Sequence, residues 1–293
     1  MVAALVSKII GLIYKSPLSA TLGNESFGCF SFAQNVYLIL LMIASYSIPQ
    51  AVSKIMAERI AFKRYRDAQR IFKGALLYAV IVGGVVAIFC VVGAPILIPE
   101  SMANARLALQ FLAPTIFLSG ILGVFRGYFQ AYRNMLPTSL SQIFEQIAVA
   151  VVALLMANFM VNYFADADTD VLRSWSAAGA TMGTGAGVAT ALLFMLLVYW
   201  VNRKVIQKKI QRDTVSVNES YSSVMKNIVL IVSPIILSSF LYNVNTYLNS
   251  RIYSQVSGFK GMESSLIEGL YAECGYFMTL INIPLTLAST APT

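Results

Sequence analysis

Long apolar segments, separated by short polar ones, dominate the chain. Each is close to the roughly 20 residues that a helix needs to cross a hydrocarbon core of about 30 Å. The pattern therefore predicts an all-α, polytopic membrane helix bundle. The eight predicted spans cover approximately residues 2–22, 29–53, 72–97, 107–131, 138–164, 176–201, 227–250 and 267–290.

The order of these spans predicts three parts. Residues 1–201 hold six spans and form an N-terminal transmembrane lobe, residues 202–226 form a basic cytoplasmic linker, and residues 227–293 hold two further spans. Apolar residues such as Val205 and Ile206 alternate with basic ones in the linker. This pattern fits a helix lying on the anionic inner leaflet, and a solvated basic linker fits it equally well.

Composition supports the membrane assignment and argues against enzymatic chemistry. The 293 residues are 58% hydrophobic and 12% charged, whereas a soluble domain carries about 25% charged residues. The chain has no histidine, which excludes a Ser-His-Asp triad and histidine metal sites. Its cysteines, Cys29, Cys90 and Cys274, lie far apart in apolar sequence without a metal-binding or redox spacing. We therefore expect neither an enzyme nor a bound cofactor.

The basic residues indicate how the chain is oriented. Fifteen of the 21 lysines and arginines flank the loops after the second, fourth and sixth spans, and four flank the loops on the other side. Because cytoplasmic loops are enriched in basic residues, the amino terminus is predicted to be cytoplasmic in a multi-pass plasma-membrane protein. The net charge of +8 is thus explained by topology, and we expect membrane lipid rather than nucleic acid as the partner.

Two lysines interrupt the first span. Lys8 and Lys15 are seven residues apart, so they share one face of a helix. Charged groups at membrane depth usually face a water-filled cavity or a partner, which makes them functional candidates. The pair predicts a transporter whose cavity attracts an anionic head group. The alternative is snorkelling, in which Lys8 reaches the cytoplasmic surface.

Further polar residues are candidates for the cavity wall and its inner mouth. Asn245 and Asn249 belong to a polar stripe on the seventh span, which fits either a cavity wall or interhelical hydrogen bonding. Arg126 and Glu145 flank the connection between the fourth and fifth spans, and we predict an ion pair that fixes this turn and gates the inner mouth. Glu25, at the outer end of the first span, is predicted to be a solvated loop carboxylate.

Three stretches resemble one protein family. They are residues 7–15 (SKIIGLIYK), residues 126–146 (beginning RGYFQ and ending SQIFEQ) and residues 178–187 (AGATMGTGAG). They resemble the first helix, the fourth-to-fifth connection and the sixth helix of lipid II flippases of the MurJ and SpoVB type, in the polysaccharide-transporter branch of the MATE-like MOP superfamily. The resemblance implies two lobes around a cavity that opens alternately to each side. It also implies an undecaprenyl-diphosphate-linked sugar as cargo, with Lys8 and Lys15 meeting the diphosphate.

The chain departs from this family in two respects. It ends after the eighth span, so the resemblance implies one six-helix lobe and the first two helices of an incomplete second lobe. The resemblance also implies an aspartate in the seventh helix of many relatives, where this chain has Asn249. A neutral amide binds a coupling cation, Na⁺ or H⁺, less well than a carboxylate. The alternatives are a cation-coupled multidrug or metabolite exporter and an inactive truncated membrane protein. The basic character of the deepest charges favours an anionic cargo.

Overall fold

The structure is a computed structural model that describes residues 2–217 and 220–275, apart from the side chains of residues 2–5, 8, 46, 239, 242 and 243. The described chain is mostly helical and contains no strand. Residues 264–275 are also helical, and the remainder of the predicted eighth span lies outside the described residues. The named helices are α1 (Val2–Ile13), α2 (Lys15–Leu41), α3 (Ile48–Ala61), α4 (Tyr65–Val92), α5 (Ala94–Leu97), α6 (Ala105–Ala131), α7 (Leu136–Tyr163), α8 (Thr169–Gln211) and α9 (Tyr221–Phe259).

Six helical segments of the described chain are long and apolar enough to cross a membrane, which confirms the predicted polytopic helix bundle. Many large apolar side chains are exposed on the surface, as expected for helices that face lipid. In α4, for example, the exposed residues Ile81, Val85, Ile88 and Val92 recur at the spacing of one helix face. The six segments are Ile9–Ala61, Tyr65–Val92, Ala105–Ala131, Leu136–Tyr163, Thr169–Gln211 and Tyr221–Ser238.

The first of these segments contains two of the predicted spans and is divided at Gly23. Gly23 has a φ of +73°, a conformation that residues with a Cβ rarely adopt, and it separates helical residues 15–22 from 24–41. The break falls in the connection that the sequence predicts at residues 23–28. A π-helical turn, Met42–Tyr46, follows α2 and precedes Pro49 near the start of α3. Proline lacks a backbone donor, so one hydrogen bond of a regular helix is missing at this point.

Small residues allow α7 and α8 to pack closely. Gly179 and Gly183 both face α7, and a Cβ added at Gly183 would lie 2.5 Å from the Cβ of Ala153. A Cβ at Gly179 would lie 2.8 Å from the carbonyl oxygen of Met156. Gly187, one turn further on, is equally close to α7. Glycines at spacing four let two helix backbones approach in a membrane, where burial from water cannot drive association.

Aromatic residues form the core at the end of the bundle where α3, α4 and α6 meet. Phe72 of α4 lies 4.8 Å from Tyr128 and 5.4 Å from Phe125 of α6, measured between ring centroids. Tyr199 of α8 stacks on Phe72 at 5.4 Å. Each aromatic pair contributes roughly 0.5–1.5 kcal/mol beyond the burial of its area. A second buried cluster, which includes Phe32, packs α2 against α6 and α8.

The first part of the predicted linker continues α8. Helix α8 runs to Gln211 without a break, so residues 202–211 do not form a separate helix along the membrane surface. The physical reason is that neither glycine nor proline occurs between Val188 and Gln211 to end the helix. The ammonium of Lys209 lies 5.1 Å from the ring centre of Tyr132 and 5.9 Å from that of Tyr65. These cation–π contacts hold the end of α8 beside α4 and α6.

Residues 212–217 then lie across the start of α4. The buried carboxylate of Asp213 accepts a hydrogen bond from the backbone N–H of Arg66 at 2.7 Å and another from the hydroxyl of Ser216 at 2.6 Å. In return, the backbone N–H of Val217 donates to Asp67 of α4 at 3.1 Å. Free N–H groups at a helix start favour carboxylates, so this arrangement fixes the linker to α4.

Asp213 is expected to make this attachment sensitive to acid. Burial raises the pKa of its carboxyl, but hydrogen bonds from the Ser216 hydroxyl and from three backbone N–H groups lower it more, to about 2 from 3.8. The attachment is therefore fully stabilised above about pH 4 and loses this contribution as the pH falls towards 2. Asp213→Asn should remove about 1–2 kcal/mol near neutral pH.

Amide hydrogen exchange at residues 212–217 measures this effect. The exchange rate in the native protein should rise as the pH falls from 4 to 2, after correction for intrinsic exchange. In the Asp213→Asn variant it should already be high at neutral pH. Asp166→Asn, an exposed substitution in another loop, is the control. Equal protection in the native and Asp213→Asn proteins would mean that the carboxylate does not hold this segment.

Candidate functional site

Lys15 lies on the inward side of the first helical segment. The backbone continues from α1 into α2, because the N–H of Tyr14 bonds to the carbonyl of Ile10 and the N–H of Leu18 bonds to that of Tyr14. Helical spacing therefore places Lys15 on the face of the fully buried Leu18. Ile13, on the opposite side of the helix, is 66% exposed.

The side chain of Lys15 is partly buried, and its ammonium has no hydrogen bond or ion pair with any residue that the structure describes. The same helix face packs against α7, where a Cβ added at Gly11 would lie 3.0 Å from the side-chain oxygen of Gln146. A partly buried ammonium without a counterion is open to an anionic ligand. Lys8 belongs to α1, and its side chain lies outside the described residues.

Asn245 and Asn249 both lie in α9 with exposed side chains. Neither forms an interhelical hydrogen bond with a residue in the described part of the chain. The buried face of α9 is different: it carries Ser250 and Ser254, which contact other segments. A role for the two asparagines in a cavity wall stays a prediction.

Arg126 and Glu145 are in direct contact. A guanidinium nitrogen of Arg126 in α6 donates to a carboxylate oxygen of Glu145 in α7 at 2.6 Å, and both side chains are less than one-fifth exposed. The Nε of Arg126 also donates to the hydroxyl of Ser141 at 3.0 Å, and Ser141 donates to the carbonyl of Thr138 at 2.7 Å. The sequence did not indicate that Ser141 hydrogen-bonds to this ion pair. The pair joins the end of α6 to the start of α7.

Loss of either member of this pair should destabilise the bundle. Arg126→Ala or Glu145→Ala leaves a shielded charge without its partner, which costs about 3 kcal/mol. The reversed pair, Arg126→Glu with Glu145→Arg, should recover part of that loss in thermal unfolding of the protein in detergent. The matched control combines Glu145→Arg with Arg133→Glu. It makes the same exchange of charges, but its new glutamate is at an exposed position in the same connection. If the reversed pair is no more stable than this control, the two side chains do not act as a pair.

A second charged cluster joins α2, α6 and α8 to residues 264–275. We call it the charged junction, and the residues that define it are Glu25, Asn104, Asp170, Arg173 and Glu268. The guanidinium of Arg173 lies 2.6 Å from Glu25, 3.3 Å from Asp170 and 3.8 Å from Glu268. Glu25 is thus ion-paired, although the sequence predicts a solvated carboxylate. The sequence gives no signal for this cluster, because its members come from distant segments.

An open pocket of about 410 Å³ lies beside the charged junction. Glu25, Glu263 and Glu273 supply its charged lining, together with Leu266 and Leu270. Three carboxylates repel a phosphate-bearing ligand, so this pocket is unsuited to an anionic cargo. Lys15 is not among its lining residues.

The described fold is a polytopic helical membrane bundle with a basic residue on the inward face of its first segment. The chain matches the family of polysaccharide biosynthesis proteins over residues 1–291 and belongs to that family. Its relatives include a protein named as a lipid II flippase. No solved structure matches the chain.

Three relatives from Bacillus subtilis (strain 168) illustrate the similarity. Stage V sporulation protein B is 22% identical over 286 residues, covering 96% of this chain and 53% of the relative. Lipid II flippase MurJ is 22% identical over 295 residues, covering 97% of this chain and 53% of the relative. The uncharacterized membrane protein YabM is 23% identical over 274 residues, covering 92% of this chain and 49% of the relative. The chain therefore spans about half the length of these relatives, and its resemblance to the MurJ and SpoVB type is confirmed.

Proposed function

We propose that this protein takes part in moving an undecaprenyl-diphosphate-linked sugar, lipid II or a related precursor, across a bacterial plasma membrane. The observation that carries the proposal is Lys15, whose partly buried ammonium lies on the inward face of the first helical segment without a partner among the described residues. Membership of the polysaccharide biosynthesis family and similarity to a lipid II flippase support it.

The proposed chemistry is reversible binding of a diphosphate. A lysine ammonium acts as a point charge for phosphate, and the attraction grows where the surroundings are less polar than water. We place Lys15, with Lys8 beside it, at the diphosphate. Asn245 and Asn249 are proposed to hydrogen-bond the sugar hydroxyls. The Arg126–Glu145 pair is proposed to hold the inner mouth, with the amino terminus in the cytoplasm.

One observation favours a second function, export of an organic cation. A cationic cargo requires a buried carboxylate, and Glu268 is fully buried. The guanidinium of Arg173 lies 3.8 Å from it, however, so this carboxylate already has a cation beside it. The anionic cargo therefore remains the better supported function.

Reconstitution of the complete protein in liposomes tests the proposal. Undecaprenyl-diphosphate-linked disaccharide is placed in both leaflets, and a sugar-binding probe reports how much head group changes sides. Transport should occur with this lipid and fall strongly with the monophosphate analogue, which carries less charge. Transport of a fluorescent organic cation without movement of the lipid would favour the exporter instead.

A further inference from the structure

The charged junction contains one deeply buried charge with little local compensation. Glu268 is 0% exposed. Its Oε1 accepts a hydrogen bond from the side-chain amide of Asn104 at 3.1 Å, whereas its Oε2 has no hydrogen-bond donor in the described part of the chain. The nearest guanidinium nitrogen, on Arg173, is 3.8 Å away. A buried carboxylate held in this way is costly. The side chains of Asn104 and Cys29 interact with it, and Arg173 is the cation that offsets its charge among the described residues.

Arg173 is shared among three carboxylates. Glu25 of α2, Asp170 of α8 and Glu268 all form ion pairs with its guanidinium. The charged junction therefore carries more negative than positive charge. Glu25 and Asp170 are partly solvated, with side-chain exposures of 44% and 66%, so water stabilises them without the arginine. Glu268 has no such access to water.

Close backbone contact keeps water away from Glu268. Gly28 of α2 packs directly against the carbonyl oxygen of Glu268, and a Cβ at position 28 would overlap that atom. Cys29, the next residue, is fully buried and interacts with the Glu268 side chain. Nearby, the hydroxyl of Tyr271 bonds to both Asn35 of α2 and Ser250 of α9. The contacts with α2 hold residues 264–275 against residues 1–201, the part predicted as the N-terminal lobe.

We propose that Arg173 and Glu268 form a conditional latch between these two parts of the chain. The junction stays closed while the guanidinium neutralises the buried carboxylate, and it opens when that neutralisation is lost, because Glu268 then becomes hydrated. In the transport cycle proposed above, this is the contact that separates when cargo leaves on the outer side. That last role rests on the proposed function, whereas the latch itself does not.

Cys29 is a native reporter of the latch, since opening the junction exposes its thiol. In the complete protein, with Cys90→Ser and Cys274→Ser as background, a membrane-impermeant maleimide is added to intact membranes and the rate of Cys29 labelling is measured. Arg173→Gln should raise this rate at least about tenfold, because a buried charge without its partner strongly destabilises the closed arrangement. An unchanged rate overturns the latch.

Second substitutions separate the latch from general loss of structure. Glu268→Gln added to Arg173→Gln removes the uncompensated charge and should return the rate to near the background value. Glu263→Gln is the matched control, because Glu263 is an exposed carboxylate near the same segment, and it should not restore the rate. Equal restoration by both substitutions overturns the proposal.

Glu268→Gln by itself gives a test that does not depend on how well Arg173→Gln folds. Arg173 keeps Glu25 and Asp170 as partners, so removal of the buried charge should lower the amide hydrogen-exchange rate of residues 264–275 below the background. Exchange is used here because Glu268 interacts directly with the Cys29 thiol and its removal alters the reactivity of that thiol. A higher rate overturns the latch. Labelling does not require transport, so the latch can hold when the reconstituted protein moves no lipid, which would contradict the proposed function alone.

Discussion

Lys15→Ala is expected to abolish transport of the diphosphate-linked lipid with little loss of stability. The ammonium has no partner in the described structure, so its removal leaves no protein group unpaired. A hydrogen bond to a charged group contributes about 1.5–3 kcal/mol, which corresponds to about a tenfold to hundredfold loss of affinity. Lys15→Arg should retain part of the activity, because it keeps the charge but changes its geometry.

The measurement is growth of a bacterial strain depleted of its own lipid II flippase and supplied with the complete protein. Lys73→Ala is the matched control, since Lys73 is an exposed lysine in α4 and should leave growth unchanged. Membrane levels of all variants are compared by immunoblot. Normal growth with Lys15→Ala, at the level of the unsubstituted protein, would show that Lys15 does not bind the cargo.

Gly183→Leu is expected to cause a larger loss of stability than removal of either member of the Arg126–Glu145 pair. A Cβ at this position would lie 2.6 Å from the backbone nitrogen of Ala153, so a leucine forces α7 away from α8. Inserting bulk into a packed interface costs typically 1–3 kcal/mol, and a backbone that cannot move aside increases the cost. We expect a cost above about 3 kcal/mol and a strong fall in the amount of folded protein.

Gly84→Leu is the control for this substitution. Gly84 lies in α4, and a Cβ there has no heavy atom within 4 Å. Both substitutions add the same side chain to a helical glycine, so they differ in the contact that is disturbed. Thermal unfolding in detergent, followed by the loss of monodisperse protein, compares them. Similar melting temperatures for the two variants would mean that close packing of α7 on α8 is not required.

Hydropathy predicted the spans well because the bilayer imposes both length and composition on a crossing helix. It was less reliable for the ends of helices, because a helix can continue beyond the membrane. The predicted sixth span ends at residue 201, whereas α8 continues to Gln211, because basic residues can leave the membrane without leaving the helix. The Arg126–Glu145 contact was predictable because one short connection separates the two helices that carry them.

The charged junction could not be predicted in this way. Arg173 and Glu268 are far apart in sequence, and their contact depends on how residues 264–275 pack against α2 and α8. Glu25 illustrates the same limit, since a glutamate beside a loop is usually solvated, but this one meets Arg173. Lys15 was found from its unfavourable position in an apolar run. That no described residue pairs with it could be seen only in the three-dimensional arrangement.

The length of α8 has a mechanical consequence. With a rise of 1.5 Å per residue, about 54 Å of helix separates Arg173 from Lys209. A tilt of about 5° around one end of such a rod displaces the other end by about 5 Å. Helix α8 can therefore act as a lever: a small rotation beside Glu268 would become a side-chain-sized displacement where Asp213 fastens the chain to α4.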